Sequence, residues 1–129
     1  MMCPCGTGKQ KSECCQAYID GTAIAPTAET LMRSRYTAYV SANVDYLLKS
    51  HHKSTRPTKE RKEILKWTKS VQWMGLSVIN TSMGKADQKE GTVEFRAVYS
   101  ENSQLQSIHE KSLFRKEKGM WYYVSGVHF

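Results

Sequence analysis

The sequence lacks any apolar run near the ~18 residues that a bilayer-spanning helix needs, and cysteines stand near its start where a secretion signal would need an apolar stretch. These absences predict a soluble, cytoplasmic protein with no membrane span. No cysteine follows Cys15, so disulfides cannot cross-link the body of the chain. Acidic residues are short in supply: 12 Asp and Glu stand against 19 Lys and Arg, a net charge of +7 that biases the protein toward anionic partners. Neither an internal repeat nor a low-complexity tract is visible. With 129 residues, 40% of them hydrophobic, the chain is long enough for one ordinary domain plus a small appendage. A chain of this size buries roughly two-thirds of its unfolded surface, which supports a core without disulfides.

The basic excess is concentrated. Between Lys49 and Lys69, the residues Lys49, Lys53, Arg56, Lys59, Arg61, Lys62, Lys66 and Lys69 face only Glu60 and Glu63. A solvated helix face is the plain reading of this run, and an anion-binding surface for RNA or the ribosome is the alternative.

Apolar spacing sets the expected elements. Thr27 can cap a helix with Glu29 in its first turn and Leu31, Met32, Tyr36, Tyr39 and Val40 on one core-facing side. Asn43 can cap a short second helix to Ser50, with Val44, Leu47 and Leu48 as its apolar side. Pro57 stops the preceding segment and Thr58 can cap a third helix to Ser70, with Ile64, Leu65, Thr68 and Val71 buried. Beyond Gln72 the period shortens to two, and four strands are expected over Trp73–Met83, Thr92–Ser100, Leu105–Glu117 and Met120–His128. Helices followed by alternating strands predict an α+β fold, a sheet of about four antiparallel strands covered on one side by helices.

All four cysteines, Cys3, Cys5, Cys14 and Cys15, fall within the first fifteen residues. Gly6 and Gly8 allow a tight turn after Cys5, and a short helix fits Lys9 to Tyr18. Four thiolates satisfy a tetrahedral divalent ion without water, so zinc, or another metal such as iron, fits a structural knuckle over residues 1–18. Lys9 and Lys11 can offset part of the thiolate charge. A redox pair at Cys14 and Cys15, and unliganded buried thiols, are the competing readings. Ile19 to Pro26 reads as a connector, placing the larger domain at 27–129.

These residues resemble a known element. Cys3-Pro4-Cys5-Gly6-Thr7-Gly8 through Cys14-Cys15 is similar to the SEC-C motif, the zinc-binding element of the SecA translocase tail and of many small bacterial proteins. Thr7 stands where that motif usually has Ser, and Lys11 where an aromatic residue is common. The segment Leu31-Met32-Arg33-Ser34-Arg35-Tyr36, with His109-Glu110-Lys111-Ser112 and Trp121-Tyr122-Tyr123, extends the resemblance to the YchJ-type bacterial family over nearly the whole chain. That resemblance implies Cys3, Cys5, Cys14 and Cys15 as ligands of one Zn²⁺. It also implies a nuclear transport factor 2-like, cystatin-like domain, a curved sheet wrapped around helices.

Such a fold can host a pocket, which makes a small-ligand or enzymatic role the second expectation beside a non-enzymatic protein-interaction module. No catalytic residue is assigned. His109 and Glu110, adjacent on a strand, point to opposite faces and cannot form an acid/base pair. His109 is expected to be a hydrogen-bonded structural or surface residue, and Glu110 to pair with Arg33 or Arg35. His51 and His52 are expected in a solvated turn, and Trp67, Trp73, Trp121, Tyr122 and Tyr123 in the core.

Overall fold

Helix-period segments occupy the first half of the chain and strand-period segments the second, and a computed structural model describing residues 1–129 keeps that division. The helices are α1 (Cys15–Asp20), α2 (Ala28–Val40), α3 (Val44–Lys49) and α4 (Arg61–Ser70), and the strands are β1 (Gln72–Met83), β2 (Glu90–Glu101), β3 (Gln104–Glu117) and β4 (Met120–His128). The strands form one antiparallel sheet in the order β1-β2-β3-β4. Register irregularities interrupt the pairing at Trp73/Gly75 and Val78/Asn80 in β1, and at Leu113/Phe114 against β4, the kind of bulge that kinks a strand locally. No helix is long and apolar enough to cross a membrane.

Local chemistry explains the helix starts. Thr27 and Asn43 cap α2 and α3, accepting the backbone N–H of Thr30 and Tyr46. At α4 the expectation fails. Pro57 leads into a 3-10 turn over Thr58–Glu60, the helix proper begins at Arg61, and the Thr58 side chain caps nothing. The expected helix over Lys9–Tyr18 is likewise split into a 3-10 turn at Lys11–Glu13 and α1.

Helix α2 is the axis of the molecule, and it is not the one-sided helix that its apolar spacing suggests. Leu31, Met32, Ser34, Arg35, Tyr36, Thr37 and Ala38 are all buried, whereas Val40 is exposed. One flank packs on the sheet in a core of Ala28, Leu31, Met32, Val93, Phe114 and Trp121. Another flank meets α3 through Ala38, Tyr46 and Leu47, where the Tyr46 hydroxyl lies 2.7 Å from Ser34 Oγ. The remaining flank carries the cysteine-rich segment.

The open edge of β4 is covered by the chain that follows α3. His51 bridges Tyr123 in parallel, Tyr123 N–H donates to Ser50 O at 2.9 Å, and His52 N–H donates to Tyr123 O at 2.7 Å. His51 and His52 therefore do not sit in a solvated turn. His52 is buried with its ring 2.5 Å from a Glu117 carboxylate oxygen, and half-buried His51 packs edge-on against Tyr123.

Candidate metal centre

Residues 1–14 wrap back on themselves through backbone bonds. Cys3 N–H donates to Lys9 O and Lys11 N–H to Met1 O, both at 2.9 Å, while Met2 bridges Gln10. Gly6 and Gly8 hold φ of 88° and 83°, the left-handed region a tight loop between the two cysteine pairs requires. The wrap places Cys3 and Cys5 opposite Cys14 and Cys15 at the start of α1.

All four Sγ atoms lie within 4.8 Å of one another. The Cys5–Cys14 separation is 3.6 Å and the Cys14–Cys15 separation 4.0 Å. Sulfurs bound tetrahedrally at about 2.3 Å stand roughly 3.8 Å apart, so the donor set fits a tetrahedral ion. The four cysteines could hold a metal ion. Cys3, Cys5 and Cys15 are buried and Cys14 is half-buried, and none is in a disulfide. Crowding splits their acidities. The Cys15 thiol and Thr7 favour a Cys5 thiolate against the cost of burial, holding its pKa down to about 4. Cys15 is pushed up because its proton is shared with Cys5 and it is buried, and burial also raises Cys14. A cluster holding its thiolate and thiols this close offers a divalent cation four converging donors.

The cluster is fastened to α2. Arg33 Nη1 donates to Cys5 O at 2.5 Å, with its Nε held by Glu29 at 3.0 Å. Cys3 Sγ lies 3.6 Å from Thr37 Oγ1, and Ile19 touches both the cysteine group and the Ala38–Tyr46–Leu47 group. Sequence reasoning named Lys9 and Lys11 as the compensating cations and missed Arg33, whose contact spans 28 residues and leaves no local signal.

The other singled-out residues fall elsewhere. His109 Nε2 lies 2.7 Å from Glu94, a cross-strand pair on the outer face of the sheet. Glu110 pairs with neither Arg33 nor Arg35. It accepts from Ser112 and Tyr123, the latter at 3.1 Å, and lies 2.6 Å from His128 Nε2. Arg33 and Arg35 are two positions apart on a helix and diverge by about 200°, so Arg33 reaches the cysteines, while Arg35 turns to the sheet side but gives Nη1 to Leu47 O and Ser50 Oγ. Trp121 is core, but Trp67 and Trp73 wall a cavity with Tyr36 and Tyr39. Lys59, Lys62, Lys66 and Lys69 are exposed.

Comparison with known proteins places this arrangement. The family profile described as YchJ, middle NTF2-like domain, matches residues 27–126. A UPF0225 protein of Enterobacter sp. (strain 638) is 43% identical over 126 residues, covering 98% of this chain and 82% of the relative. One from Geobacter sulfurreducens is 42% identical over 125 residues, covering 97% and 78%. Two solved structures share the fold. A SEC-C motif containing protein from Rhodopseudomonas palustris has a TM-score of 0.90 at 34% identity, covering 100% of this chain and 99% of that one. Another from Psychrobacter arcticus has a TM-score of 0.83 at 32% identity, covering 97% and 81%. With its helices followed by a four-stranded sheet and its N-terminal cysteine cluster fastened to α2, this chain belongs to the YchJ family of UPF0225 proteins, whose middle domain is NTF2-like.

Proposed function

We propose that this is a cytoplasmic zinc-binding protein, in which Cys3, Cys5, Cys14 and Cys15 form a closed four-thiolate site on a knuckle of residues 1–18 attached to an NTF2-like domain over 27–129. The observation that carries the reading is the mutual approach of the four sulfurs within 4.8 Å. An ion held by four protein thiolates has no position left for substrate or water, which makes the site structural. The SEC-C motif named for the two solved relatives supports the same ligand set. Zinc is favoured by an all-sulfur donor set, and a reducing compartment by four unpaired cysteines.

A structural knuckle presents its outer surface to something. Gly6, Thr7, Gly8, Lys9, Gln10, Ser12 and Glu13 are exposed around the loop, and the knuckle acts as a non-enzymatic protein-interaction module. Elemental analysis of protein purified under reducing conditions tests the metal: one zinc per chain is the expected result. No bound metal, with four freely titrating thiols, overturns it. Partner capture compared between the wild type and a Lys9→Glu/Glu13→Lys variant that still holds its zinc tests the interaction role. Identical capture by the two removes that role and leaves the metal site standing.

A further inference from the structure

The cavity between the sheet and helices α2 to α4 has a volume of about 490 Å³, and it lies on the opposite flank of α2 from the cysteines. Small-molecule sites span roughly 300–1,000 Å³. Its walls are of two kinds. On the β1 and α4 side they are aromatic: Trp73 meets Tyr36, Tyr39 and Trp67 at ring-centroid distances of 5.7, 5.7 and 5.5 Å. Trp73 Nε1 is buried without a partner there. On the β3 and β4 side they are polar, formed by Arg35, Glu110, Tyr123 and His128.

Arg35 is the unusual member. It is only 7% exposed, and its guanidinium lies 4.7 Å from the centre of the Tyr123 ring. Nη1 donates to Leu47 O at 2.8 Å and to Ser50 Oγ at 2.7 Å. Nε and Nη2 take no acceptor from the chain, yet neither is sealed away from accessible space. No carboxylate pairs with Arg35, because the one acid in this wall is already held by Ser112, Tyr123 and His128. That arrangement is itself built into the sheet. Gly126, paired with Ser112, has no side chain, and a Cβ there would overlap the Glu110 carboxylate. His51, the imidazole beside Arg35, is held down to about 4 by burial and by the Arg35 and Arg56 charges, so near neutral pH it adds no second cation. The Arg35 guanidinium thus forms no ion pair of its own and keeps two accessible donors without a protein acceptor, a position that an anion can take.

We propose that this cavity binds a small planar aromatic carboxylate, its ring packed against the wall that Tyr36, Tyr39, Trp67 and Trp73 form and its carboxylate on the open Nε and Nη2 of Arg35. The planar walls select a ring, which packs face or edge against aromatic neighbours. The guanidinium edge selects a carboxylate, which matches it with two parallel hydrogen bonds. A phosphate would bring a second negative charge toward Glu110, so the monoanion is the better fit.

Wild-type protein titrated with benzoate, 2-naphthoate and indole-3-carboxylate, each beside its neutral alcohol, tests this through tryptophan fluorescence and amide NMR shifts. At least one acid should bind one-to-one and at least ten-fold tighter than its alcohol, with shifts confined to residues lining the cavity. Arg35→Gln should lower the affinity for that acid at least ten-fold and leave the alcohol unchanged. Ile108→Trp fills the cavity from the half-buried end of β3 and should abolish binding of both, its fold being checked by the NMR spectrum. Should Arg35→Gln not fold, the acid-to-alcohol ratio and Ile108→Trp decide. Saturable binding by none of the acids, equal affinity for acid and alcohol, shifts centred elsewhere, or undiminished binding by folded Ile108→Trp each overturn the proposal.

Discussion

On one flank of α2 the chain packs sulfur atoms around a point, and on the other it packs aromatic and branched side chains across an area. The cysteine segment brings little apolar surface of its own, only Ile19 packing beside the thiols, and its loop is held by a few backbone bonds and by Arg33. The domain side buries Phe114 and Val93 almost completely and pairs all four strands along their length. Hydrophobic burial can sustain the second region alone, whereas so short a loop buries little to offset its ordering entropy, and a metal ion bound as proposed would supply the difference. One helix thus joins a unit built around four sulfurs to a solvent-driven one.

The largest effect should come from breaking the first unit. Cys5→Ser removes one of four donors, and bound metal, measured by elemental analysis, should fall from one per chain to near zero. Hydrogen exchange in residues 1–18 should then accelerate while the sheet amides stay protected. Next, Phe114→Ala leaves a void in the sheet-facing core and should lower the free energy of unfolding by about 3–5 kcal/mol in urea denaturation, with metal content unchanged. If instead both variants lose metal and sheet protection together, the two regions are one cooperative unit and the contrast fails.

Acid should separate them by a third route. His51 titrates near 4 in the folded protein and near its ordinary value unfolded, so the unfolded chain takes up the proton first as pH falls. The stabilisation is fully present above about pH 6.5 and is lost on descending toward pH 4. Glu117, lowered by its bond to the His52 ring, acts in the same direction. Allowing for partial solvent screening, the His51 contribution amounts to about 1–2 kcal/mol, measurable as a fall in urea midpoint over that window. His51→Phe should flatten that part of the profile.

Smaller still, Arg33→Met unties Cys5 O from α2 and should cost about 1 kcal/mol while preserving the four donors. Its signature is faster exchange in the loop with metal still bound. Lys62→Ala on the exposed side of α4 should change stability by less than about 0.5 kcal/mol, as a solvated face predicts.

Much of this architecture is visible in the spacing of residues. The strands begin within two residues of where alternation places them, and Thr27 and Asn43 cap where their chemistry suggests. The cysteine cluster is equally legible, because its members lie close along the chain. What spacing cannot show is a contact between distant segments. Arg33 to Cys5 and His52 to Glu117 depend on how elements dock, as does the anchoring of Glu110 by Ser112, Tyr123 and His128. A helix buried on several flanks also defeats a reading from apolar spacing, which leaves Ser34, Arg35 and Thr37 out of the core-facing side. Thr58 misleads for a local reason: it lies inside the 3-10 turn after Pro57, and the position before the α-helix falls to Glu60.

Gly126 offers a consequence beyond its own strand. Its backbone is not in the left-handed region, so its identity is set by the neighbour across the sheet and not by a torsion angle. Evicting Glu110 therefore requires no edit to the acid itself: adding a single methyl group to residue 126 pushes the carboxylate out of its seat while leaving its charge in the protein. The pair amounts to a steric handle on an electrostatic quantity, through which the polarity of the cavity can be tuned from the far strand.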